Sequence, residues 1–340
     1  MSTNKHRTSL KDLAKELGVS IATVSRALRN SPEIGKDMQT RVKELARQLN
    51  YRPNPFARSL RRESPKIIGV VVPNLVTHYY AAVLDGIESE AAKEGYSVIS
   101  ANSHEDFETE ARTIDNFIDM HVEGIIACLA QNTTDYSHFE ELQRMGIPLV
   151  FFGRTCLTDM FSSVTANGDE AAQLATQHLI DTGSRRIAFI GGPNHLDMVR
   201  RRKHGYLEAL RASRIPIDRD MVVCDKIDYE LAISSTKELL SRPDRPDAIL
   251  AFNDIITFAA FTAIKQMGLR IPEDVALIGF TDDVHAAYVT PQLSAIEDQS
   301  HQMGATACQL LLRAIAGDRT IYRERVPQRL VIRETSAKYK

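Results

Sequence analysis

Apolar residues recur along the chain at two spacings. Near the N-terminal end Leu10, Leu13, Ala14 and Leu17 fall at i, i+3, i+4 and i+7, which is one face of a helix. Ser9 stands at its N-cap with Asp12 at the capping-box offset, and Gly18 ends it. Val19 adds an apolar residue in the turn. Ser20 then caps a second helix whose Ile21, Val24 and Leu28 can face inward. A helix, a short glycine turn and a second helix make the helix-turn-helix pattern, whose second helix enters the DNA major groove by its N-terminal residues. A third helix follows, with Met38, Val42, Leu45, Ala46 and Leu49 as its buried stripe, and three helices can close a small core. In the second helix, Thr23, Ser25 and Arg26 are residue types that bond phosphates and base edges.

From residue 66 the spacing changes. The apolar runs KIIGVVVP, GYSVISAN, VEGIIACLA and IPLVFFGR alternate with helix-like stretches near 79–94, 106–120 and 135–145. The plan then repeats: RRIAFIGG, DMVVCD, PDAILAFND and DVALIGFTD, with helices near 200–212, 229–241 and 255–267. Near-continuous apolar strands separated by helices predict parallel sheets covered on both faces. Two such units predict two Rossmann-like subdomains with a cleft beyond the carboxyl ends of their strands.

Charge divides the chain in the same place. Residues 1–62 hold fourteen Lys and Arg against five Asp and Glu, a net of +9, so the remaining residues carry −11 of the total of −2. A basic block with periodic apolar residues is a folded polyanion-binding module rather than a tail. The 43% hydrophobic and 25% charged composition is that of a globular protein, and 340 residues allow two or three domains. There is no apolar run long enough for a transmembrane span and no apolar segment of the signal-peptide kind at the start, so the expected location is the cytoplasm, at the nucleoid when DNA is bound. Cys128, Cys156, Cys224 and Cys308 lie far apart and read as free, mostly buried thiols. The ten histidines show no metal-ligand spacing, and G-x-G-x-x-G, P-loop, G-x-S-x-G and H-E-x-x-H motifs are absent, so neither cofactor, metal nor enzymatic activity is expected.

Two segments carry a resemblance. SLKDLAKELGVSIATVSRALRNSPEI, followed by RVKELARQLNYRPN and ARSL, resembles the DNA-binding headpiece of the LacI/GalR family of bacterial transcription regulators. The body, through IIGVVVPN, HLIDTGSRRIAFIGGP, PDAILAFND and IPEDVALIGF, is similar to that family's core, itself like periplasmic sugar-binding proteins. The fold class implied is an N-terminal all-α helix-turn-helix headpiece plus an α/β core of two Rossmann-like subdomains. The headpiece is expected at 1–52, a hinge helix and linker at 53–64, and the effector-binding and dimerisation core at 65–340. Family crossings between subdomains, placed near 160–164, 289–294 and 320–325, give a first subdomain of about 65–161 and 293–321 and a second of about 162–291 and 324–340.

The resemblance also implies roles. After Ser20, Ile21 and Ala22 would read bases with Arg26, while Thr23 and Ser25 would contact phosphates. Asn54 and Ala57 match hinge positions, Arg58 would lie beside a phosphate, and Leu60 matches a leucine wedged into the minor groove, where an apolar side chain kinks the duplex. Tyr79 and Tyr80, Arg202 and Asn253 match effector-contacting positions. Thr281, with Asp282 beside it, stands where the family usually has a ligand-binding aspartate, and Gly153 replaces another common aspartate. Gly35 replaces a usual Ser or Thr cap on the third helix. The function implied is a homodimeric regulator, generally a repressor, that binds a palindromic double-stranded DNA operator. Its control would come from a sugar, sugar derivative or nucleoside-like effector. A protein co-repressor is the alternative signal, and a solute-binding protein is the remote alternative, against which the basic headpiece and the missing signal peptide argue.

Overall fold

The structure, a computed structural model, describes residues 8–49, 51, 65–281 and 284–337. It divides into one unit ending at Pro65 and another beginning at Lys66.

In the first unit α1 (Leu10–Leu17), α2 (Ile21–Leu28) and α3 (Lys36–Gln48) lie where the spacing predicts them. The Ser9–Asp12 capping box is formed in both directions, and Gly18 ends α1 at φ 66, a left-handed conformation that glycine adopts without steric cost. Ser20 Oγ accepts the Thr23 amide at 3.0 Å and so starts α2. Gly35 occupies the α3 N-cap with no side-chain bond. Leu13, Ala14, Val24, Ala27, Val42 and Ala46 close the core. Leu49, expected in the α3 stripe, is exposed instead, because it is the C-cap and has left the helical register.

The second unit is built from two sheets. The first half contains β1 (Ile67–Val72), α4 (His78–Lys93), β2 (Ser97–Asn102), α5 (Phe107–Asp119), β3 (Gly124–Ala127), α6 (Ser137–Met145), β4 (Leu149–Phe152) and β5 (Ser162–Ala166). The second half contains α7 (Gly168–Asp181), β6 (Ile187–Gly191), α8 (Asp197–Ala212), β7 (Val222–Cys224), α9 (Tyr229–Ser241), β8 (Ala248–Ala251), α10 (Asp254–Gln266), β9 (Ala276–Phe280) and β10 (Ser294–Glu297). The chain then supplies α11 (Ser300–Ile315) and β11 (Arg323–Val326) to the first half and β12 (Arg329–Val331) to the second. The strand orders are β11-β5-β4-β3-β1-β2 and β12-β10-β9-β8-β6-β7. Every pairing is parallel except β10 with β12. The two halves therefore repeat one topology, and each sheet reverses its order next to its first strand, at β1 and at β6. Parallel sheets need apolar cover on both faces, and β1, β3, β4, β6, β8 and β9 are almost wholly buried.

The crossings differ from the expectation. The chain leaves the first sheet after Ala166, the second after Glu297, and the first again after Val326. Each lies a few residues later than placed from sequence, because β5, β10 and β11 pair with the sheet they are leaving before the chain turns away. β5 and β11 hide this in sequence: SSVTA and RERV are half polar, as strands near a sheet edge can be.

Glycine sets the closest helix contacts. A Cβ on Gly304 of α11 would sit 1.9 Å from the Val83 carbonyl oxygen of α4, and one on Gly86 would sit 2.1 Å from the His301 oxygen. In the second half, a Cβ on Gly205 of α8 would sit 1.9 Å from the Asp169 oxygen of α7.

Candidate functional site

In the first unit, α2 presents Ser20, Ile21, Ala22 and Arg26 at the surface, while Val24 and Ala27 are buried. Ile21 is 43% exposed, an unusual exposure for a branched apolar side chain at a helix start. Thr23 is half-buried and its hydroxyl lies 2.9 Å from that of Ser20. Arg26 pairs with Glu33 at 2.9 Å. Ser25, expected at a phosphate, lies on the inner side of the helix. It is buried, and its hydroxyl accepts from Arg29 Nη2 at 2.8 Å while its carbonyl accepts from Arg29 Nε at 3.2 Å. One helical turn on, Arg29 folds back over it. Asn54, Ala57, Arg58 and Leu60 lie outside the described residues.

In the second unit, a cleft lies at the carboxyl ends of both sheets. The position follows from topology, since open parallel sheets leave a crevice where strand order reverses. Tyr79 and Tyr80 enter from the start of α4 after β1, Arg202 from α8 after β6, Asn253 after β8, and Thr281 after β9; all five line the cleft. Asp282 lies outside the described residues.

Arg202 is the centre of the second half's wall. It is 3% exposed, its guanidinium lies 3.8 Å from the Phe280 ring centre and 4.9 Å from that of Phe252, and it donates to the Phe252 carbonyl. Its Nη2 donates to both Asp298 oxygens at 3.2 and 3.4 Å. Its Nε is buried with no hydrogen-bond partner among the described residues. Burial holds the guanidinium below its usual pKa, and Asp298 opposes that shift. Gln328 also donates to Asp298, so the last crossing touches the same carboxylate. Asn253 caps α10 through the Ile256 amide at 3.0 Å.

On the facing wall, Arg154 grips Glu105 at 2.6 and 2.9 Å and donates to the Leu129 carbonyl at 3.0 Å. Tyr79 and Tyr80 pack edge to face at 5.0 Å. The Tyr79 hydroxyl donates to Met303 Sδ at 3.0 Å, and that of Tyr80 lies 3.8 Å from Cys128 Sγ. Burial pushes both tyrosine hydroxyls well up and the Cys128 thiol to about 11, so all three stay protonated at neutral pH. A Cβ on Gly153 would meet the Tyr79 hydroxyl at 3.0 Å, and its φ of 63 is left-handed. The aspartate missing at 153 therefore leaves the space that Tyr79 fills.

Glu105 and Asp298 were not singled out from sequence, yet both line the cleft, as does Asp254. Glu105 lies after β2 in a turn where His104 and Glu105 have φ of 54 and 58, a backbone cost characteristic of functional positions. Nothing in SHEDF announces that turn. Asp298 directly follows β10, and the signal was available: an acid at the carboxyl end of a parallel strand.

One side chain joins the walls. Gln131, 4% exposed, accepts the Ile227 amide at 2.7 Å and donates to the Ile227 carbonyl at 3.4 Å, while its own amide donates to Glu105 at 2.8 Å. Gln131→Leu keeps the volume and leaves both Ile227 groups unbonded. The expected cost is about 1–3 kcal/mol, seen as faster hydrogen exchange at the Ile227 amide; unchanged exchange would show that the amide clasp does not hold the halves together.

Among the described residues no group of three or more His, Cys, Asp or Glu could hold a metal, and no helix is long and apolar enough to cross a membrane. The four cysteines are free, three of them buried.

Comparison with known proteins places both units. Residues 9–54 match the family described as bacterial regulatory proteins, lacI family, and residues 176–336 match the periplasmic binding protein-like domain. The chain is 34% identical over 307 residues to the ribose operon repressor of Bacillus subtilis (strain 168), covering 90% of this chain and 91% of that protein. The transcriptional regulator CelR in complex with cellobiose superposes with a TM-score of 0.74 at 28% identity, covering 97% of this chain and all of that one. The Lac repressor dimer bound to operator superposes with a TM-score of 0.83 at 24% identity, over 97% of this chain and 99% of that one, which establishes the shared fold.

Proposed function

The chain belongs to the lacI family of bacterial regulatory proteins and is a DNA-binding transcriptional repressor, and from that premise we propose that a small polyhydroxy molecule held in the cleft sets its affinity for a palindromic operator. The observation that carries the proposal is the convergence of Tyr79, Tyr80, Arg202, Asn253 and Thr281 on one cleft with Phe252 and Phe280. Flat apolar faces with hydroxyls and a guanidinium beside them suit a sugar or a nucleoside-like ring. Both buried arginines already face carboxylates, so the cleft is near neutral and favours an uncharged ligand. Two relatives support a sugar by name or contents: one is a ribose operon repressor and one holds cellobiose.

At the other end, Ser20, Ile21, Ala22 and Arg26 would face the major groove, with Thr23 near a phosphate. Asn54, Ala57, Arg58 and Leu60 would form the hinge contact that bends DNA. Two chains related by a two-fold axis would read two half-sites. Ligand would change the relation of the core halves and so the geometry of the hinge segments. Coupling of this kind is typically about 1–3 kcal/mol and is reciprocal between ligand and DNA.

Selection of duplexes from a random pool by the purified full-length protein, at about 0.15 M salt to suppress non-specific binding, tests the proposal. An enriched palindrome is expected, with an affinity that pooled sugars shift. No enrichment with or without sugars would overturn the operator assignment. An enriched palindrome whose affinity no sugar, sugar phosphate or nucleoside changes would overturn the cleft assignment.

A further inference from the structure

A second hollow runs along the flank of the core between its two halves and shares only Arg154 with the cleft. Its character is different. Arg200 and Arg201 line it from the first two turns of α8, and Arg323 and Arg325 line it from β11. The carboxylates are fewer. Asp197 is divided between Arg200 Nη2 at 3.1 Å and Arg201 Nε at 2.6 Å, and Arg201 also feels Asp169. Asp159 meets Arg323 at 2.6 Å but is 95% exposed, so solvent and salt weaken that pair. Arg325 reaches Asn167 Oδ1 at 3.4 Å and forms no ion pair with a carboxylate among the described residues.

The placement is electrostatically costly without a partner. The N-terminal end of a helix is its positive pole, and cations near it are disfavoured. Leu196 at the α8 N-cap gives no side-chain bond, and Asp197, the acidic residue of the first turn, is already shared by Arg200 and Arg201 where the helix borders the hollow. Arg200 and Arg201 add charge to it, and Arg323 and Arg325 add more from the opposite half. A bound anion would relieve all of these at once, and arginine forks match phosphate oxygens in pairs.

We propose that this hollow binds a phosphate-bearing small molecule with two or more negative charges, which bridges Arg200 and Arg201 of one half to Arg323 and Arg325 of the other. The site is separate from the cleft: Arg154, at their common boundary, spends its guanidinium on Glu105 and the Leu129 carbonyl. An anion here would favour one arrangement of the halves and so act on DNA affinity alongside the cleft ligand.

Titration calorimetry of the full-length protein with inorganic pyrophosphate, at about 0.05 M salt to limit screening, tests this directly. Saturable binding of one pyrophosphate per chain is expected in the hollow. The exposed-surface double variant Arg200→Gln/Arg325→Gln should bind at least about tenfold more weakly while melting near the parent temperature. Because the basic headpiece also attracts polyanions, Arg26→Gln is the companion variant and should leave the hollow's affinity unchanged. Absence of saturation, or equal affinity in the Arg200→Gln/Arg325→Gln protein, would overturn the proposal, as would binding lost only with Arg26→Gln.

Discussion

Arg202→Met should abolish the response to ligand and destabilise the core by about 3–5 kcal/mol, the cost expected when one partner of a buried ion pair is removed. Methionine fills much of the space between Phe252 and Phe280, so cavity formation is the smaller part of the loss. The larger part is Asp298, which is 6% exposed and would lose the guanidinium that donates to both its oxygens. Adding Asp298→Asn to Arg202→Met removes the stranded charge and should recover part of the stability but none of the ligand response. That separation distinguishes a binding role from a merely structural one. The headpiece is a separate unit, so operator affinity without ligand should persist. Thermal unfolding and operator titration with and without ligand read both effects. A variant that still responds at the same ligand concentration would remove Arg202 from the cleft mechanism.

Gly304→Ala is expected to be nearly as damaging, at about 3 kcal/mol, through a different cause. Its new methyl would lie 1.9 Å from the Val83 carbonyl oxygen and 2.8 Å from the carbonyl carbon, both backbone atoms that no rotamer change can move. The two helices would have to separate, and Gly86 on the facing helix shows that they approach from both sides. For a subdomain of this size the fall in melting temperature would be roughly 6–12 °C. A protein melting with the parent would mean that α4 and α11 slide apart at little cost, and that their glycines are not what sets the spacing.

Much of this molecule was legible in its residues, because period carries secondary structure and charge carried the boundary. The 3.6 spacing of Leu10 to Leu17 and the apolar runs from Ile67 onward lead directly to helices and strands that the structure contains. The cleft was legible at its rim, since loops after parallel strands share one end of the two sheets, and the family resemblance singled out Tyr79, Arg202, Asn253 and Thr281 there. Its carboxylates were less so. Glu105 depends on a strained turn that local sequence does not mark, and Asp298 needed β10 to be recognised as the strand before it. Ser25 shows the converse limit. Residue type favoured a phosphate contact, but tertiary context gave its hydroxyl to Arg29. The crossings drifted for a related reason: half-polar strands such as β5 and β11 look like connections until their neighbours are known.

The late return of the chain to its first half has a consequence for synthesis. Met303, Ala307, Cys308 and Leu311, all buried in the first half's core, leave the ribosome only after β6 to β10 of the second half have been made. Until then α4 and the first sheet expose the apolar surface that α11 will cover, and the second sheet lacks β12. A chain stopped near residue 298 would therefore complete neither half. Such a product should be cleared as an unfolded polypeptide rather than survive as a DNA-binding module that has lost its control.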